Sequence, residues 1–143
     1  MMCKVLIFSC ISVALLMTTA YGASLSPEKL EILPALIKDL EILEESKNKI
    51  HVVLYTPNEI KECSQQTLQC YLEEMVMLEK EIEDEPEIKN EFKNALQNIK
   101  KNLHRLKDLS PTGGECKICE ANDKKNFPDF LQQLTNLLRS MQK

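Results

Sequence analysis

The chain has 143 residues with 18 basic and 22 acidic side chains, a net charge of −4. That overall balance is mildly acidic and argues against a nucleic-acid partner. The length suits one domain with a core of its own.

The first segment reads as a secretory leader. Lys4 is the only charge before Glu28, and Val5–Met17 is an apolar run of signal-peptide length, short for a membrane span. Small residues at Ala20 and Gly22 put the expected cleavage before Ala23, so residues 1–22 are read as the signal peptide and residues 23–143 as the mature domain. Those 121 remaining residues, without Lys4, carry 17 basic and 22 acidic groups, a net −5. No second apolar run reaches membrane length, so a secreted, soluble product without membrane insertion is expected. No Asn-x-Ser/Thr sequon occurs, so N-glycosylation is not. Cys3 and Cys10 leave with the leader. Cys63, Cys70, Cys116 and Cys119 remain, and on an oxidising route an even set of four is a disulfide framework.

Residues 27–46 place Leu30, Leu33, Ile37, Leu40 and Leu43 at helical spacing, with Ser26 and Pro27 as cap and first turn. Pro34 leaves two readings: a kink there, or a helix that starts near Leu33. Ile50–Tyr55 is the best strand candidate, β-branched but with no partner evident in the sequence. Thr56, Pro57 and Glu59 form a capping-box pattern, predicting a second helix from there to about Glu83, ended by Pro86. Its apolar line is Leu68, Tyr71, Leu72, Met75, Leu78 and Ile82. Residues 87–109 give the cleanest stripe, from Ile88 and Phe92 to Leu103 and Leu106. The last helix carries Phe127, Phe130, Leu131, Leu134, Leu137, Leu138 and Met141, with Pro128 in its first turn. Four amphipathic helices that must each cover one face predict an all-α four-helix bundle.

Connection lengths select the topology. About four residues between helices two and three force an antiparallel pair. The first connection, residues 47–56, spans roughly 33 Å when extended, enough to run the length of a 20-residue helix of about 30 Å. The third, about residues 109–123, does so more easily. Two long crossovers around one short turn give the up-up-down-down arrangement of short-chain cytokine bundles.

The cysteines fit that topology. Positions seven apart on a helix share a side, about 10.5 Å along the axis, while bridged Cα atoms lie roughly 4.4–6.8 Å apart. Cys116 and Cys119 must be similarly separated, which takes three extended steps and predicts an extended C-x-x-C. The third connection runs parallel to helix two, and parallel order pairs Cys63 with Cys116 and Cys70 with Cys119. A thioredoxin-type redox pair would need a βαβ setting that is absent. Zinc would need four soft ligands, and Cys63 and Cys70 are too far apart to chelate one ion. His51 and His104 are isolated, and no phosphate loop, serine elbow or H-E-x-x-H occurs. No catalytic, cofactor-binding or metal-binding residues, and no enzyme activity, are therefore expected.

Leu54-Tyr-Thr56, Cys63, Cys70-Tyr-Leu-Glu-Glu74, Cys116-Lys-Ile-Cys-Glu120 and Phe130-Leu-Gln132 resemble the interleukin-15 and interleukin-2 family of cytokines in order and spacing. The resemblance covers essentially the whole mature chain and leaves open interleukin-15, an interleukin-15-like paralogue, or interleukin-2. It implies the same two disulfides and a secreted monomer. It also implies assembly of a receptor from an alpha chain, a shared beta chain and a common gamma chain, with JAK-STAT signalling in lymphocytes and the immune response. Lys38-Asp-Leu-Glu41 matches the segment whose aspartate meets the beta chain, which implicates Asp39, and Lys93-Asn-Ala-Leu96 implicates Asn94. The gamma-contacting glutamine of the family is replaced by Arg139, a departure that either puts that contact in question or asks for a compensating acidic group on the receptor. Tyr55, Glu74, Met77 and Glu81 fall where the alpha chain binds.

Each position also has a plainer reading. Asp39 and Asn94 suit solvated helix faces, the acids from Glu73 to Glu87 suit solubility, and Arg139 suits a helix C-terminus. The alternative function is a secreted, disulfide-stapled helical carrier of an apolar ligand, whose cavity Met75, Met77 and Met141 would line. Their placement within core stripes weighs against it.

Overall fold

The structure, a computed structural model, describes residues 27–58 and 62–142. The expected leader, Ser26 and Glu59 lie outside them. Four helices, α1 (Pro27–Glu45), α2 (Ser64–Ile82), α3 (Asn90–Asp108) and α4 (Phe127–Met141), make up the bundle. Short 3-10 turns cover Lys47–Lys49 and Cys119–Ala121, and two short strands, β1 (Val53–Tyr55) and β2 (Lys124–Asn126), lie in the two long connections.

The helix directions follow from the connections. β1 pairs with β2 antiparallel, with Val53 opposite Asn126 and Tyr55 opposite Lys124, so the two crossovers run in opposite senses. The disulfides Cys63–Cys116 and Cys70–Cys119 join the second crossover to α2 in parallel order. Helix packing agrees: α1 lies on α3 and α4, and α2 lies on α3. This is the up-up-down-down cytokine bundle.

α1 runs through Pro34 without ending there, so the late start near Leu33 is set aside. Its buried line is Ile32, Leu33, Leu36, Leu40 and Leu43. Leu30, placed in the apolar stripe by spacing, is instead 57 % exposed, one turn before the proline. α2 starts at Ser64 with Cys63 at its N-cap, not at the Thr56–Pro57 capping pattern. Thr56 is committed elsewhere: its Oγ1 donates to the Leu54 carbonyl at 2.9 Å and its amide to the Asp123 carbonyl at 2.8 Å. The buried Tyr71 hydroxyl then donates to the Pro57 carbonyl at 2.7 Å, which anchors this stretch as a loop over α2. The connection between α2 and α3 spans residues 83–89, longer than the four expected and still short enough for a tight antiparallel pair.

α4 has a clear entry. Asn126 Oδ1 accepts from the Asp129 amide at 2.9 Å, and Pro128 sits in the first turn, where no backbone donor is needed. Its Phe127 and Phe130 stack near the centre of the core. Tyr71 meets Phe130 at 5.2 Å and Phe92 meets Phe127 at 6.2 Å between ring centroids, which joins α2 and α3 to α4.

Candidate functional site

The two bridges shape one side of the molecule. Their Cα atoms are 5.9 and 5.2 Å apart, within the range a disulfide closes without backbone movement. Cys116–Ile118 is non-helical and Ile118 has extended dihedrals, so the C-x-x-C is laid out along α2 as its spacing required. Among the described residues no group of three or more His, Cys, Asp or Glu is placed to hold a metal ion.

Beyond the Cys70 bridge, Glu74, Met77 and Glu81 continue the same line of α2 at helical spacing. Glu74 is only 8 % exposed. Its carboxylate accepts from the Tyr55 amide at 2.6 Å, so it joins α2 to β1. Burial pushes its pKa above the ordinary carboxylate value, the Tyr55 amide and Lys124 pull it back, and Glu73 and Glu120 reinforce the rise. Lys124 Nζ also lies 4.9 Å from the centre of the Tyr55 ring, which it caps from β2. Met77, expected in a core stripe, is 48 % exposed, and Glu81 is exposed beside it. The face thus combines a half-buried tyrosine, an exposed methionine and acids. Val53 and Val76, which sequence reasoning did not single out, are exposed apolar residues on β1 and α2. The alternation of the Ile50–Tyr55 run was the available signal for Val53, whereas Lys124 had no local signal because its partner strand lies some 70 residues away.

A second face is formed where α1 packs on α3. Asp39 is half-buried and accepts no hydrogen bond from the described residues. Burial raises its pKa, and Lys38 offsets this in part. Asn94 is exposed on α3. Asp39 precedes the end of α1 by six residues, about 9 Å, and Asn94 follows the start of α3 by four, about 6 Å. The two helices are antiparallel, so both residues sit near the same level. Arg139 is exposed in the last turn of α4, at the other end of the bundle, where its charge also complements the helix dipole.

A two-disulfide, up-up-down-down bundle of four helices defines the class of four-helix cytokines. The family model for interleukin 15 matches residues 5–142, essentially the whole chain, and the chain belongs to that family. No curated protein matches it. Proteins of this family are secreted, non-enzymatic signalling molecules that act through cytokine receptors, and the chain is a cytokine. Membership favours signalling over carriage of an apolar ligand. Among the described residues no helix is long and apolar enough to cross a membrane.

Proposed function

We propose that this cytokine is released after cleavage before Ala23 and assembles a receptor from an alpha chain, a shared beta chain and a common gamma chain. Receptor assembly then starts JAK-STAT signalling in lymphocytes. The observation that carries the reading is Asp39. A carboxylate partly withdrawn from water on a helix flank, with its pKa raised by burial and no protein donor spent on it among the described residues, has its acceptors available to a partner's donor. Asn94 at a similar level on α3 supplies a neighbouring amide for the same beta-chain contact. Arg139 meets the gamma chain through an acidic group on that receptor. Tyr55, Met77 and Glu81 touch the alpha chain, and Glu74 contributes from below by holding Tyr55 in place.

The test is a binding panel of recombinant alpha, beta and gamma ectodomains with the mature protein. Asp39→Lys is expected to abolish beta-chain binding and leave the circular dichroism spectrum unchanged. Undiminished beta-chain binding by this variant refutes the assignment. An acidic replacement, Arg139→Glu, is expected to lose gamma-chain binding while beta-chain binding persists.

A further inference from the structure

The two bridges have different surroundings. Cys70 is 3 % exposed and lies beyond the first turn of α2, so a thiolate formed there would face apolar packing. Its partner Cys119 opens a 3-10 turn, and its carbonyl accepts from the Asn122 amide at 3.2 Å and the Asn122 side chain at 3.1 Å. Cys63 and Cys116 are both half-buried, with exposed Glu62 beside the first and exposed Glu115 and Lys117 beside the second. Cys63 is the N-cap of α2, whose first turn carries no acid, and its side chain makes no capping hydrogen bond. A thiolate released at that position meets the positive end of a 19-residue helix.

The chain around Cys116 is open. Cys116–Ile118 is non-helical with Ile118 extended, and Lys117 makes no hydrogen bond with any described residue. Ile118 is 69 % exposed, more than any other large apolar side chain among the described residues. Gly113 has no side chain to cover the Cys116 sulfur, for a Cβ there would lie 2.7 Å from it. A groove of about 590 Å³ follows this segment and is lined by Cys116, Ile118 and Cys119. Its charges are of mixed sign, Lys107 and Lys117 against Glu73, Asp108 and Glu120, so it favours no ion. What the segment offers is a disulfide sulfur, an apolar side chain and a backbone free to pair with another chain.

We propose that the Cys63–Cys116 bridge is the substrate of a protein dithiol oxidoreductase, which docks on Cys116–Ile118. The chain is the substrate and not the oxidoreductase, because both C-x-x-C cysteines are bonded to α2. The thiolate of the reductant attacks Cys116 Sγ. A bond forms between those two sulfurs, and the Cys63–Cys116 bond breaks with its electron pair leaving on Cys63 Sγ. That direction is favoured because the thiolate that leaves more readily is the one at the helix N-terminus. The second thiol of the reductant loses its proton to solvent and attacks the mixed disulfide. Cys116 leaves as a thiolate, and both cysteines take up protons. Two electrons have passed, and the dithiol has become a disulfide. The opened chain keeps its register. Cys70–Cys119 still ties the crossover to α2. Gln66 donates to the Gly113 carbonyl at 3.4 Å and accepts from the Gly113 amide at 3.3 Å, so Cys116 stays close enough for the bridge to close again.

The experiment treats the folded mature protein with thioredoxin, kept reduced by its reductase and NADPH, and maps alkylated cysteines by mass spectrometry. Cys63 and Cys116 are expected to be labelled at least about tenfold faster than Cys70 and Cys119. A thioredoxin whose second active-site cysteine is changed to serine is expected to be trapped on Cys116. Ile118→Asp, at an exposed position, is expected to slow reduction by thioredoxin severalfold and to leave reduction by dithiothreitol and the circular dichroism spectrum unchanged. The proposal is overturned if both bridges resist thioredoxin, if Cys70–Cys119 opens as fast, or if the adduct forms on Cys63. Docking on this segment is overturned if Ile118→Asp slows both reductants alike or neither.

Discussion

The Glu74 carboxylate accepts a hydrogen bond from the Tyr55 amide at 2.6 Å, so a buried acid on α2 fixes the backbone of β1. Because burial raises the Glu74 pKa, the folded chain holds this proton more tightly than the unfolded chain. The group's contribution to stability therefore grows as pH falls through the raised value, and it levels off below the ordinary carboxylate value. Glu74→Gln keeps an acceptor and removes the charge. Its unfolding free energy at neutral pH is expected to equal or exceed that of wild type, and the gain on mild acidification is expected to shrink. Glu74→Ala strands the Tyr55 amide and is expected to cost roughly 1–3 kcal/mol. Denaturant titrations at several pH values check both.

On the proposed reading, Asp39 sets beta-chain binding against stability. Its carboxylate is partly withdrawn from water and accepts no hydrogen bond from the described residues, so Asp39→Asn is expected to leave thermal stability equal or slightly higher. The same change is expected to weaken beta-chain binding at least about tenfold, or about 1.4 kcal/mol. A calorimetric scan beside surface-plasmon titration reads the two effects separately.

Gly113 is a point of close approach. A Cβ there would overlap the Glu62 carbonyl and crowd the Cys116 sulfur, whereas one at Gly114 would meet nothing within 4 Å. Gly113→Ala is expected to destabilise by roughly 1–3 kcal/mol and to slow closure of the Cys63–Cys116 bridge during oxidative refolding. Gly114→Ala, one residue on, is expected to do neither. Chemical denaturation and peptide mapping of refolding intermediates distinguish them.

The Cys70–Cys119 bridge closes a loop over a sequence separation of 49. Replacing both cysteines by serine is expected to cost roughly 2–4 kcal/mol. It is also expected to weaken alpha-chain binding, because the bridge sets the start of the line that runs through Glu74 and Met77. An unaltered unfolding midpoint would show the bridge to be energetically idle.

Local pattern carried most of the bundle. The stripes of α3 and α4 are long and amphipathic, and residues such as Phe92, Leu103 and Leu134 are buried as their periodicity required. Cysteine spacing and crossover length together yielded the bridge order, because both are simple distances along a chain. What escaped was non-local. Thr56 and Pro57 have the chemistry of a helix start, yet Thr56 bonds to Asp123 and Pro57 to Tyr71, so tertiary partners outweigh the local cap. β2 is Lys-Lys-Asn, a run with no strand propensity, and it exists because β1 offers it a backbone edge. Leu30 lies outside the core because the buried line of α1 runs through Ile32 and Leu36, a rotation that spacing alone leaves ambiguous. For the proposed alpha-chain face, the family resemblance marked Tyr55, Glu74, Met77 and Glu81 but said nothing of the buried tie between Glu74 and Tyr55.

The bridges 63–116 and 70–119 interleave along the chain, and together they enclose α2 and α3 in one covalent ring. α1 and α4 lie outside that ring, and neither bridge ties them to it. The molecule is therefore a locked hairpin with two helices leaning on it. Opening of α1 or α4 leaves the hairpin closed, so amide exchange should be fastest in the helices that carry Asp39 and Arg139 and slowest in the ring. Met77 stands on the ring itself, and Tyr55, which lies outside it, is tied to it through Glu74. The surfaces assigned to the beta and gamma chains draw on the half that can adjust its seat when a receptor arrives.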